Sequence, residues 1–397
     1  MGKVAELAVG LTALAVSLAN AQSIVDPTDR ARFNELFDHL RGDPLNCNVM
    51  PFKPFVDFAF RFELGYIVEC DVRQFGGLPG ELRTFLRVRP EVGAETILAD
   101  QFMFQGLPKD AKSLPDLRKI HADLEFSGAL TAGEGVYAMD LLVFDNRDRL
   151  FRHSWKLKAF PHGDEGKVDL SMASGTLAPL RMIPIPDRPG GTAGNRVTIL
   201  LNAAPLNPRS VKLRAWDRAF LLDSLSSMLR QLSYASVRVV AFNLDQQREI
   251  FRQDDFRQAQ FGSLARALRN LELGTVPYST LERKRGWAEL LLSLLHAEAQ
   301  ATPNSDAIVF LGPTGRMDDK VPREMLASYS EAAPRVFCLA YYPRFGSEFP
   351  DSIQHLTSAL KGKVFRVHTP GELAQNLAKL KREIEVDATA RATPVRK

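Results

Sequence analysis

Three cysteines in 397 residues are too few and too scattered for a structural zinc site. Cys47, Cys70 and Cys338 contain no CxxC pair. The seven histidines form no HExxH, and no two sit at a metal-ligand interval. A Gly-x-Ser-x-Gly elbow is missing too; Ser171-Met172-Ala173-Ser174-Gly175 comes nearest but lacks the spacing. No block of like charges interrupts the chain. The formal net charge of +4 is spread along it, which gives no basis for nucleic-acid binding. Beyond the first residues, no apolar stretch approaches the roughly 20 residues a helix needs to cross a bilayer. What is present is an ordinary globular composition, 45% hydrophobic and 25% charged, on a chain long enough for two or three domains.

The first residues look like an export signal. Lys3 gives a weakly charged start, which Glu6 weakens further. Leu7 to Leu18 is apolar, and Ala19-Asn20-Ala21 fits a small-x-small cleavage pattern. Residues 1–21 are therefore expected to be a signal peptide cut between Ala21 and Gln22. The mature chain should be soluble, without a membrane span, and periplasmic or extracellular. An uncleaved anchor or a helix packed on the body are the alternatives. Export permits a disulfide. Cys47 and Cys70 fall in the same β-rich region, where a bridge would contribute roughly 3 kcal/mol; bridged and free thiols both remain open. Cys338, inside the strand-like RVFCLAYY, reads as a core thiol.

Residues 22–50 read as a polar extension with a short helix near 29–37. From 51 to 160 the apolar period is two. Val56, Phe58, Phe60, Phe62 and Leu64 alternate with polar or small residues, and similar runs recur to Leu157. Asp145-Asn146-Arg147-Asp148 reads as a hairpin turn. Strands so spaced predict an antiparallel β-sandwich, which resembles an immunoglobulin-like module in architecture. Residues 161–195, rich in Pro and Gly, read as a linker. Gly190 to Gly194 precedes a strand, whereas phosphate loops follow one. From 196 to 385 apolar strands alternate with amphipathic helices, which predicts a mainly parallel, doubly wound α/β sheet. The strand candidates are Val197–Leu201, Val237–Phe242, Ala307–Leu311, Val336–Tyr341 and Val364–Val367. Thr369-Pro370-Gly371-Glu372 is a capping box opening the last helix. Residues 386–397 are expected to be a disordered tail.

The order of these segments resembles a von Willebrand factor A domain. Val197–Leu201 followed by NAAPL, then VRVVAFNLDQQREIFRQD, Leu273-Gly274-Thr275 and DAIVFLGPTGR, match its landmarks in sequence. The resemblance implies a Rossmann-like sheet with a divalent ion at its carboxyl end, held by Asp-x-Ser-x-Ser, a Thr and a late Asp. Here those positions carry Asn202, Ala204, Leu206, Thr275 and Gly312 or Pro313. Magnesium needs carboxylate oxygens to offset its dehydration, and this set holds none. The implied protein keeps the scaffold without metal or cofactor. Gly312-Pro313-Thr314-Gly315-Arg316 lacks the Gly-Lys-Ser/Thr of a phosphate loop.

These readings point to an exported, non-enzymatic protein that binds a protein partner, adhesion-like, through the rim around Asn202, Thr275 and Gly312. An envelope hydrolase or transferase using the sheet's crevice, and a structural assembly subunit, are the alternatives.

Overall fold

The computed structural model describes residues 22–26, 30–39, 41–76, 78–105, 123–147, 149–180, 195–207, 209–232, 234–301, 304–315, 317–326, 329, 333–342 and 349–392. The expected signal peptide through Ala21 and the Gly190–Gly194 stretch lie outside these residues. No helix among the described residues is long and apolar enough to cross a membrane. The chain divides into two compact units. The first is Met1–Val56, Arg61–Pro161 and Leu170–Met182; the second is Asp57–Phe60, His162–Asp169 and Ile183–Lys397.

The first unit holds β1 (Ser23–Ile24), α1 (Arg30–His39), β2 (Cys47–Pro51), β3 (Phe55–Val56), β4 (Phe62–Asp71), β5 (Gly80–Pro90), β6 (Thr96–Phe104), β7 (Asp123–Ala132), β8 (Gly135–Asp145), β9 (Leu150–Ala159) and β10 (Leu177–Pro179). They form two antiparallel sheets, ordered β1-β6-β5-β8-β9 and β10-β7-β4-β2, with β3 also on β4. Period-two alternation makes each sheet two-faced. Phe62, Leu64, Tyr66 and Val68 of β4 are buried, as are Leu82, Leu86 and Val88 of β5. The sheets meet through aromatic pairs, Tyr66 with Trp155 at 5.9 Å and Phe102 with Phe126 at 4.7 Å between centroids. α1 buries Phe37 against Ile97 and Leu142.

Three expected boundaries shift. Residues 22–50 are not an extension: β1 pairs with β6, β2 with β4, and Gln22 donates to the Tyr66 hydroxyl at 3.3 Å. Their strands are too short to show in local periodicity and are fixed by their partners. The expected linker 161–195 contains β10, paired with β7, and the 3-10 turn Gly163–Lys167, packed on the last helix. The alternation from Val56 to Leu64 is not one strand. Residues 57–60 turn, Phe60 adopting φ 63°, and belong to the second unit, within which the Phe58 ring meets Phe220 and Tyr341. Cys47 and Cys70 face each other in the β2–β4 register and are bridged.

The β8–β9 turn is closed by a carboxylate. Asp145 accepts from the Arg147 and Arg149 amides at 2.9 and 3.0 Å, and from Arg149 Nε and Nη2 at 2.8 and 2.7 Å. Burial pushes this carboxyl up, but the Arg149 guanidinium and the amides together hold it below the usual carboxylate range. A depressed folded-state value contributes stability above the unfolded pKa, and that contribution is lost as pH falls through the folded one. Asp145→Asn is therefore expected to cost about 2 kcal/mol at neutral pH. The gap from wild type should close in denaturant titrations below pH 4; a pH-independent gap would contradict this account.

The second unit holds β11 (Asn195–Asn202), α2 (Ala215–Gln231), β12 (Tyr234–Asn243), β13 (Arg248–Gln253), α3 (Phe261–Arg269), α4 (Tyr278–Glu282), α5 (Gly286–Gln300), β14 (Ala307–Pro313), α6 (Arg323–Leu326), β15 (Arg335–Tyr341), α7 (Ser352–Ala359), β16 (Lys363–Val367) and α8 (Pro370–Ala392). Its six strands are ordered β13-β12-β11-β14-β15-β16. All neighbours are parallel except β12–β13. The strands are nearly continuous in apolar residues because helices cover both faces. Leu200, Val240, Phe310 and Cys338 pack under Leu291 and Leu295 of α5 and Leu356 of α7. α2 packs on β14 and α8 on β11 and β16. The capping box of α8 is modified. Thr369 Oγ1 accepts from the Glu372 amide, but Glu372 reaches back one residue further, to the His368 amide at 2.7 Å. α8 runs to Ala392, through most of the expected disordered tail; residues 393–397 lie outside the described set.

Candidate functional site

In a sheet ordered this way the chain leaves β11 toward β12 on one side and is joined by β14 on the other. The carboxyl ends of these strands therefore part and leave a crevice. Its walls include Asn202, Ala204, Pro205, Asn243, Asp245, Thr314 and Met317, and it encloses about 340 Å³ including its open mouth. The expected rim residues come together only in part. Asn202, Gly312 and Pro313 are adjacent, Ala204 lines the wall, and Leu206 is half-buried on the loop beyond it. Thr275 is exposed; its carbonyl lies 3.4 Å from the Gln246 Nε2 donor.

Asn202 does structural work. Its Nδ2 donates to the Pro313 carbonyl at 3.1 Å, joining the ends of β11 and β14. Its Oδ1 is buried and has no hydrogen-bond partner. Gly312 has φ 151°, and a Cβ there would sit 2.7 Å from the Asn202 carbonyl. A side chain of any kind, a carboxylate included, is thus blocked at 312 without a backbone shift. Pro313 has no ionisable group. The loop after β11 is tied down from within. Asp217 accepts from the Leu206 amide at 2.8 Å and the Arg214 amide at 2.6 Å, and Asn243 Nδ2 donates to the Ala203 carbonyl at 2.8 Å.

Sequence reading missed Asp351. It caps α7, accepting from the Gln354 amide at 3.0 Å, and it also accepts from the Gly315 amide at 2.6 Å, beside the second, smaller cavity that Asn202 lines. Burial raises its carboxyl above the usual range in spite of these amides. The signal was available: Asp351 directly precedes the apolar-periodic run Ile353, Leu356, as an N-cap does. Asp318 and Asp319 are exposed. Among the described residues, no three His, Cys, Asp or Glu side chains cluster at metal-binding distance.

An aspartate at 202 tests the geometry. Asn202→Asp replaces the Nδ2 donor with an oxygen facing the Pro313 carbonyl inside a buried site. The expected cost is about 2–3 kcal/mol. Millimolar magnesium is expected to leave the melting temperature of the variant unchanged, because among the described residues no three His, Cys, Asp or Glu side chains come together to share an ion with it. A magnesium-dependent rise would show that the ligand set is more complete than described.

The chain matches no protein-family model and no curated protein sequence. Among solved structures, a putative ApaA protein from Bordetella pertussis is similar to 31% of this chain over its whole length, at 10% identity and TM-score 0.20. A glycosyl hydrolase family 2 member from Bacteroides cellulosilyticus aligns with 76% of this chain and 40% of its own, at 10% identity and TM-score 0.22. A Bacteroides uniformis beta-glucuronidase aligns with 84% and 38%, at 11% identity and TM-score 0.19. The chain thus spans about two fifths of the length of these two hydrolases. At such TM-scores none of them bears on the fold or the activity of this protein.

Proposed function

We propose that this is an exported protein-binding protein. In this reading its second unit is a divergent von Willebrand factor A-type domain, and the rim at the carboxyl ends of β11, β12 and β14 is the contact surface. The first unit is taken as an immunoglobulin-like module. The observation that carries the reading is the state of the rim. The loop positions that would hold a metal are occupied by Asn202, Ala204, Leu206 and a glycine at 312 that tolerates no side chain, while exposed apolar groups stand around them. The sheet order and the antiparallel edge strand β13 support the domain assignment. The Cys47–Cys70 bridge supports an oxidising compartment.

A photo-crosslinking residue in place of Tyr278 is expected to capture a partner in the native envelope, equally with and without EDTA. The same residue in place of Val386, exposed on α8, should not. Capture abolished by EDTA, or equal capture from both positions, would overturn the reading.

A further inference from the structure

The rim carries a charge pattern that the linear sequence conceals. Three segments are anchored on the turn that follows β12. Asn243 holds the Ala203 carbonyl. Gln246 Nε2 donates to the Glu272 carbonyl, and Lys212 and Glu272 form an antiparallel bridge. Gln247 Nε2 donates to the Thr280 and Arg283 carbonyls at 3.3 and 3.1 Å. This turn gathers residues 209–216, 272–278 and 282–285 at one edge of the sheet.

The first segment exposes Arg209, Lys212 and Arg214 and contains no acid. The third is Glu282 followed by an Arg-Lys-Arg run at 283–285, all exposed. Asp217 is buried and accepts from two backbone amides, so its charge offsets part of the first segment's while its oxygens stay off the surface. Asp245, Glu272, Glu282 and Glu324, the last 3.8 Å from Arg285, are the carboxylates on the surface set against these six cations. Between the cations stand large exposed apolar side chains. Trp216 is 73% exposed, Tyr278 76% and Val211 56%. At the centre the polarity reverses. The crevice is lined by the Asp245 carboxylate and by Asn202, whose buried Oδ1 lacks a donor.

We infer that the rim binds an acidic segment of a partner protein, carrying apolar residues among its carboxylates. This rests on the protein-binding reading and specifies its partner. Carboxylates suit the guanidinium groups of the flanks, and apolar side chains suit Trp216 and Tyr278. The Asp245 carboxylate of the centre favours an N–H donor, which a polypeptide backbone supplies at every residue but proline. A phosphodiester chain supplies none in its backbone and would bring anionic oxygen to Asp245. The observations therefore favour a peptide over a nucleic acid.

The test uses the full chain and the change in tryptophan emission on binding that is lost in Trp216→Phe, since Trp155 and Trp287 also emit. The probes are a twelve-residue peptide of Glu, Asp and Leu, its Lys-for-acid counterpart, and a single-stranded oligonucleotide of similar charge. The acidic peptide is expected to bind saturably at low salt. Affinity should fall about tenfold or more in the Arg209→Glu/Lys212→Glu/Arg214→Glu variant and again at high salt, as charge-dominated contacts do. These exposed substitutions should leave the melting temperature unchanged. No binding of the acidic peptide, equal binding of the basic one, tighter binding of the oligonucleotide, or an unaffected triple variant would each overturn the inference. Crosslinking at Tyr278 separates the two levels. A partner still captured by the triple variant and at high salt keeps the protein-binding reading and removes the acidic class. Loss of site-specific capture from the wild-type chain removes the reading itself.

Discussion

Replacing Arg238 by methionine is expected to cost the α/β unit about 3–4 kcal/mol, the largest loss from any one substitution considered for it. The reason lies at the end of the sheet opposite the crevice. Glu298 of α5 is completely buried. Its Oε2 accepts from Arg238 Nη1 at 2.6 Å and from the Thr198 hydroxyl at 2.7 Å, and its Oε1 accepts from Arg252 Nη1 at 2.7 Å. Ser305 completes the cluster against Thr198 at 2.6 Å. The three elements so joined, β11, β12 and β13, share one helix. Removal of Arg238 leaves a dehydrated carboxylate with half its compensation. Glu298→Ala should cost less, because both guanidiniums keep a second acid, Asp254 for Arg238 and Glu249 for Arg252, and both reach water. The double variant Arg238→Met/Glu298→Leu should recover part of the loss, since an apolar pair needs no desolvation. Urea unfolding of the three variants checks the order. Arg238→Met within about 1 kcal/mol of wild type would refute the buried-charge account, the range in which exposed pairs fall.

Loss of the Cys47–Cys70 bridge is expected to lower the stability of the sandwich by roughly 3 kcal/mol, because the bridge closes a loop spanning 23 positions in the unfolded chain. For a unit of this size that corresponds to a fall of about 6–12 °C in its melting temperature. Cys47→Ala/Cys70→Ala and dithiothreitol treatment should have the same effect, while the α/β unit keeps its own transition. Chain produced in a reducing cytosol should show the lower value until oxidised. A melting temperature insensitive to reductant would mean that the thiols are not bridged in solution. The bridge ties β2 to β4, so its absence should also expose the β4 edge to pairing with other chains.

Much of the architecture is legible in the residues. The five parallel strands of the second unit announce themselves as short apolar runs, because strands covered on both faces need no alternation. The edge strand β13 is not among those runs; it follows its neighbour after a four-residue turn. α2, α5 and α8 carry their apolar stripes openly. The elements that escaped are those whose stability comes from elsewhere. β1 has two residues and exists because β6 offers it an edge. β6 itself breaks its alternation at Asp100 and Gln101 and is held between β1 and β5. Phe58 and Phe60 continue a strand-like period, yet they form a turn of the second unit, in which Phe220 and Tyr341 meet the Phe58 ring and Ser227 donates to its carbonyl.

The rim was legible in kind but not in detail. That Asn202, Ala204 and Leu206 offer no carboxylate can be read directly, since side-chain chemistry does not depend on context. Why 312 carries glycine cannot, because the obstacle is the Asn202 carbonyl of another strand. Asp351 lies about forty positions further along the chain from Gly312, and only the fold brings it to the neighbouring cavity.

The residues alone determined the two periodicities, hence a β unit followed by an α/β unit, and the chemistry available at each loop. The tertiary structure decided which loops meet. A net charge of +4 spread over the chain became a cationic rim because the turn after β12 holds three distant segments side by side. Hydrophobic period is a property of neighbours along the chain, and a strand or helix averages it locally. Electrostatic potential sums over distance in space, so its pattern appears only once the chain has folded.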